Sequence, residues 1–292
     1  MAPESALLIV RFFHFGAVLL LLGTVLFRRR VASADVAAAM AARLGRWECW
    51  AALMALASAM LWLLPQTAIA ADGWASAGDP ATVLLLVTDT QFGRIWSARI
   101  ALAVIVALAA WRGWGKVLEG GAALLVLSLG MIGHGVMLSG TAGVLLQAVL
   151  GLHVAAAGAW VGALPAVVAC LRAGGDAYPL AAAAASLRQF SWLGHGAVVI
   201  AIATGLALSR AVLGDWPLSL GSSYRQLLAA KMLVVAVMIG VALLNGYGLL
   251  PRMNVKAPQT VRWLAASATL ETVLAGLVLA LVAAFGNLSP ME

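Results

Sequence analysis

Four histidines occur in this chain, and each falls inside a long apolar stretch: His14, His134, His153 and His195. Ionisable side chains at bilayer depth are costly and point first to function. Imidazole and thioether together form a ligand set suited to soft Cu(I), whereas Mg or Ca would require oxygen ligands. Met131, His134 and Met137 recur at i, i+3 and i+6, along one side of a helix. By depth, His14, His134 and His153 belong to the outer third of their helices, and His195 to the inner third. The expected metal site is therefore His14, His134 and His153, with Met131 and Met137 as additional soft ligands. Binding requires neutral imidazoles, so it should weaken below about pH 6.5.

Plainer roles compete with this one. A lone intramembrane histidine often does no more than bond a neighbouring helix, and methionine is a routine core filler. Gly130, Gly133 and Gly135, like Gly158 and Gly162, suit close helix approach. Arg94, Arg210 and Arg225 read as snorkelling anchors. Arg99 and Lys231 lie deeper and are expected to pair with the outer acids Asp89 and Asp215. Glu48 and Glu271 suggest helix-end pairing. Four histidines would also suffice for one or two b-type haems in an electron-transfer protein, although three outside and one inside suits stacked bis-histidine haems poorly. Catalysis finds no support: there is no Ser/His/Asp constellation, GxGxxG after a strand, Walker A sequence or HExxH. No enzyme is expected, and the chain is not itself an ATP-driven pump of the usual kind. Cys49 and Cys170 form no CxxC and cannot build a disulfide framework.

The elements that must carry these residues follow from composition. Of 292 residues, 64% are hydrophobic and 10% charged, and mean hydropathy is +1.02. Soluble domains carry about 25% charged residues, so water could not solvate this surface and the lipid bilayer is the partner. The net charge of +7 comes with no basic run longer than Arg28-Arg29-Arg30, so it signals topology and not a nucleic-acid partner. At about 20 apolar residues per crossing, eight spans are expected: 6–27, 47–71, 93–112, 117–138, 144–170, 189–211, 225–250 and 263–286. Period-two alternation is absent, which leaves an all-α, polytopic helical bundle rather than a barrel. The N-terminus lacks the positive region of a signal peptide, so the first stretch should remain in the mature chain. Alternate connections hold twelve of the eighteen basic residues, while 72–92, 139–143 and 212–224 hold none. The positive-inside rule then places both termini outside.

Two segments repeat. Arg11-Phe12-Phe13-His14 leads nine residues on to Gly23, and Gly151-Leu152-His153 leads nine residues on to Gly162. Gly93-Arg94 through Arg99 is matched by Tyr224-Arg225 through Lys231. The offsets are compatible with a single membrane domain over 1–292 built from two parallel four-helix repeats, 1–138 and 144–292.

At these residues the sequence resembles the bacterial copper-resistance D (CopD/PcoD) family of inner-membrane proteins. The matching pieces are Arg11 to Phe15, Phe92 to Arg99, His153 to Gly162, and Tyr224 to Lys231 running on to Asn245. The resemblance implies a multi-pass protein of the bacterial inner membrane with a role in copper homeostasis and resistance. It would move copper between periplasm and cytoplasm, usually described as uptake, often beside a small periplasmic CopC-type copper-binding partner. Family histidines near the periplasmic face would map onto His14, His134 and His153. No methionine-rich outer loop is present, so capture would rely on a partner or on the in-membrane site.

Overall fold

A computed structural model describes residues 1–132, 140–214, 221–254 and 257–286. Within them the chain is a bundle of helices, and the sole β feature is an isolated bridge between Gly174 and Tyr178. Helix α1 (Pro3–Leu26) starts with proline where a helix has no use for the missing N–H. It runs into a π-helical turn, Phe27–Val31. Helix α2 (Ala34–Ala70) begins well before the expected crossing at 47. The added turns are alanine-rich and favour helix, while Asp35, Arg43 and Arg46 conceal them from a hydropathy reading. Helix α9 (Leu180–Leu213) likewise begins on an alanine-rich stretch ahead of the expected crossing at 189.

The connection 72–92 holds two short helices, α3 (Trp74–Ala77) and α4 (Pro80–Asp89). Asp79 caps α4 by accepting from the Ala81 and Thr82 N–H groups. Thr90 caps α5 (Gln91–Arg112), which stops at Gly113 with φ 71°, a left-handed conformation natural to glycine. Helix α6 (Gly115–Leu127) returns and tightens into a 3₁₀ turn, Ser128–Met131. The second half comprises α7 (Gly140–Val161), α8 (Leu164–Ala173), α9 (Leu180–Leu213), α10 (Ser223–Leu243) and α11 (Ala257–Phe285). Helix α10 continues as a π segment, Leu244–Leu249, and a 3₁₀ segment, Leu250–Asn254.

Among the described residues, seven segments are long and apolar enough to cross a membrane. They coincide with seven of the eight expected spans. The exception is 117–138, where α6 contributes about 20 Å at 1.5 Å per residue, short of a 30 Å core. The end of that span, with His134 and Met137, lies outside the described residues.

Packing follows a paired scheme. In the first half α1 lies against α2 and α6, α2 against α5, and α5 against α6. In the second half α7 lies against α9, α8 against α11, and α10 against α11. Across the halves α1 meets α7 and α11, and α7 also meets α6. Small residues make the central crossing possible. A Cβ on Gly23 would stand 1.9 Å from the Gly162 carbonyl carbon, and one on Gly162 would stand 2.0 Å from the Leu19 oxygen. The two backbones therefore touch, as small-residue interfaces in membranes allow. The contact falls where the α7–α8 segment breaks, at Gly162-Ala163.

Candidate metal-binding histidine sites

The inward face of α1 carries His14, 1% exposed. Its Nε2 lies 2.8 Å from the Arg99 guanidinium of α5, and its Nδ1 lies 3.0 Å from Ser58 Oγ of α2. Arginine can only donate, so Nε2 accepts and the proton sits on Nδ1, donating to Ser58. The Ser58 hydroxyl in turn donates to the Met54 carbonyl of its own helix at 2.5 Å. These partners fix a neutral imidazole in one tautomer. Arg99 is itself held: it donates to the Leu125 carbonyl at 2.9 Å and to Ser128 Oγ, and lies over the Trp96 ring at 5.1 Å. Trp96 donates to the Ala59 carbonyl at 2.7 Å and packs 4.5 Å from Trp62. Arg99 Nε has no partner among the described residues.

His153 on α7 has a matching set of partners. Its Nδ1 lies 3.1 Å from both the Ala201 carbonyl and Thr204 Oγ1 of α9. A carbonyl can only accept, so Nδ1 again carries the proton. The Thr204 hydroxyl donates to the Ile200 carbonyl at 2.5 Å, the same four-residue back-bond that Ser58 makes. Lys231 of α10 supplies the cation that acts on this imidazole. Gly205 keeps the space open, since a Cβ there would come within 3.2 Å of the ring. Each half thus holds a histidine, a hydroxyl on the next long helix, and a cation on the helix after that.

The expected pairing of Arg99 with Asp89 is corrected by this geometry. A guanidinium this far into the bundle gains more from an imidazole lone pair, a carbonyl and a hydroxyl within reach than from an acid on the loop. Asp89 accepts instead from its neighbour Thr88. Asp215 lies outside the described residues. Glu48 pairs as expected, bidentate with Arg28 at 2.7 and 2.5 Å. Ser58, Trp96 and Ser128 were not foreseen as site residues; hydroxyls and indoles on apolar helices carry no spacing signal of their own.

His14 and His153 turn toward different helices and share no hydrogen-bond partner. Among the described residues no three of His, Cys, Asp or Glu gather closely enough to hold a metal ion. Met131 sits on the 3₁₀ turn, 43% exposed. His134 and Met137 lie outside the described residues, but Ile132, two residues before His134, packs against the Trp62 and Trp96 cluster beside His14.

Sequence comparison adds the decisive observation. Residues 1–144 match the family described as "Copper resistance protein D-like, N-terminal domain", and residues 184–285 match "Copper resistance protein D". The chain is 30% identical over 284 residues to the inner membrane protein YebZ of Escherichia coli (strain K12), covering 96% of this chain and 97% of that one. This chain belongs to the copper resistance protein D family. No solved structure matches it. The N-terminal match of the copper resistance D family takes in His14, Ser58, Arg99 and His134. The second match takes in Thr204 and Lys231, while His153 lies between the two. With its apolar spans, the chain is a multi-pass inner-membrane protein of this copper-resistance family.

Proposed function

We propose that the protein binds copper within the inner membrane and carries it between periplasm and cytoplasm, in the direction of uptake, without acting as an enzyme. The entry site is formed by His14, His134 and His153 with Met131 and Met137, facing the periplasm, and Cu(I) is the favoured ion because thioether and imidazole are soft ligands. Delivery by a periplasmic CopC-type protein would supply the capture step that the outer loops lack. Two parallel repeats, with both termini outside, complete the reading.

One observation carries it best: a neutral imidazole whose Nε2 lone pair is held by a buried cation, His14 with Arg99. A lone pair that accepts from a guanidinium is directed to accept a metal ion. Copper binding at Nε2 would displace the guanidinium from the imidazole while Leu125 and Ser128 keep it close by, so the bound ion adds positive charge beside Arg99. Lys231 occupies the place of Arg99 in the repeated pattern of the second half. The haem alternative has less to stand on, since three histidines toward the outside and one toward the inside suit stacked bis-histidine haems poorly.

The test is metal analysis of detergent-purified protein with His14→Ala and His153→Ala variants. Loss of one copper equivalent in either variant is expected; unchanged stoichiometry in both rejects the site. A strong Soret band in the wild type would instead favour haem. Reporter fusions at the C-terminus should be active only on the periplasmic side.

A further inference from the structure

His195 differs from His14 in that its lone pair meets no partner among the described residues. On α9 its Nδ1–H donates to the Ser191 carbonyl one turn back, at 2.5 Å. That fixes the tautomer and leaves Nε2 as the acceptor, and Nε2 is buried without a partner among the described residues. A histidine that ligates a metal almost always donates its other N–H to a carbonyl or carboxylate in this way. Along α9, His195 stands about 9–14 Å from Ala201 and Thr204 at 1.5 Å per residue. It is therefore well separated from the His153 set.

The same place holds a cavity of about 260 Å³ between α7–α8, α9, α10 and α11. Its lining is mostly apolar, with Trp160 and Phe190 among the walls and Ser191, His195, Asn245 and Glu271 as its polar groups. Glu271 of α11 is 2% exposed. It accepts from Asn245 Nδ2 at 2.7 Å, and the Asn245 oxygen accepts from Ser267 at 2.6 Å. Among the described residues no lysine or arginine pairs with it, whereas the other buried acid at membrane depth, Glu48, is gripped by Arg28. An isolated buried carboxylate is strongly disfavoured without a compensating cation, either a metal ion or a proton on the carboxyl itself. Among the described residues, no lysine or arginine side chain supplies that cation here.

Backbone geometry supports a built site. Asn245 and Gly246 sit in the π segment of α10, and such segments recur at functional sites. Gly246 lies against His195 and Ser191, where an added Cβ would come within 3.1 Å of Ser191 Oγ.

We propose that this cavity is a second metal-cation site, in which His195 Nε2 and the Glu271 carboxylate ligate one first-row transition-metal ion, with Asn245 and Ser267 positioning the carboxylate. This deepens the proposed function and rests on it for the identity of the ion, copper. Two protein ligands with a nitrogen and oxygen donor set make a site of modest strength, and a transported ion must be able to leave.

The test uses the full chain in detergent, wild type and His195→Gln, Glu271→Gln and the double variant His14→Ala/His153→Ala. Each is loaded with copper for stoichiometry and, separately, with cobalt(II) alone for its visible absorption. The two inner variants should each lose one copper equivalent and the cobalt band, while the outer double variant keeps both. Copper bound equally by wild type and both inner variants overturns the inner site and leaves the proposed function standing. A cobalt band lost in His195→Gln, with no copper held by the wild type, upholds the site and overturns copper as its ion. Wild type binding neither metal overturns both.

Discussion

Gly23 of α1 and Gly162, just past the end of α7, meet backbone to backbone across the two halves of the bundle. The same two positions stand nine residues after His14 and His153 in the repeated pattern. Neither site has room for a Cβ, because the obstructing atoms are main-chain and cannot swing aside. Gly23→Ala or Gly162→Ala should cost toward the upper end of the roughly 1–3 kcal/mol seen for overpacking, or more. Thermal unfolding of detergent-purified protein measures this, and wild-type stability in both variants would mean the crossing is looser than described.

Arg99 joins α5 to α1 and α6 through His14, Leu125 and Ser128. Removing it as Arg99→Ala takes away hydrogen bonds from a charged donor, with an expected loss of about 1.5–3 kcal/mol. It also frees His14 Nε2 and removes a competing positive charge. Copper should then be held more tightly, read as slower release to a chelator. Faster release in Arg99→Ala would show that the guanidinium orients His14 rather than competing for it.

Arg28 and Glu48 form a pair with side chains 22% and 2% exposed. Glu48→Ala strands a cation at the bundle's edge and Arg28→Ala strands a buried carboxylate, so the second should be worse, at about 3–5 kcal/mol. The double substitution should recover part of that loss. The exposed pair Arg30–Glu119 should give no measurable change when broken, as surface pairs generally do. A double-mutant cycle on each pair distinguishes them, and equal coupling in both would refute the assignment by burial.

Asp79, on the connection before α4, accepts from the Thr82 hydroxyl and from the Ala81 and Thr82 N–H groups, which holds its carboxyl below the usual aspartate value. A lowered folded pKa means the cap is in full force above the ordinary value near 3.9. Its contribution fades as pH falls through the lower folded value. Asp79→Ala should speed amide exchange over the first turn of α4 at neutral pH and leave it little changed under strong acid. Identical exchange in variant and wild type at neutral pH would remove the cap from the account.

The membrane character, the place of seven spans and the matched spacing of His14 with His153 and of Arg99 with Lys231 could all be read along the chain. Hydropathy and residue spacing are local properties, and a bilayer enforces them segment by segment. The partners of each imidazole could not be read this way. Helices α1 and α7 are apolar on nearly every side, so no periodic stripe announces which face turns inward. That orientation is set by where backbones can touch, at Gly23 and Gly162, and by which donors then lie within reach. Folding places Ser58 and Arg99 on one imidazole, and Thr204 with Lys231 at the other. It leaves His195 and Glu271 among the polar groups lining one cavity.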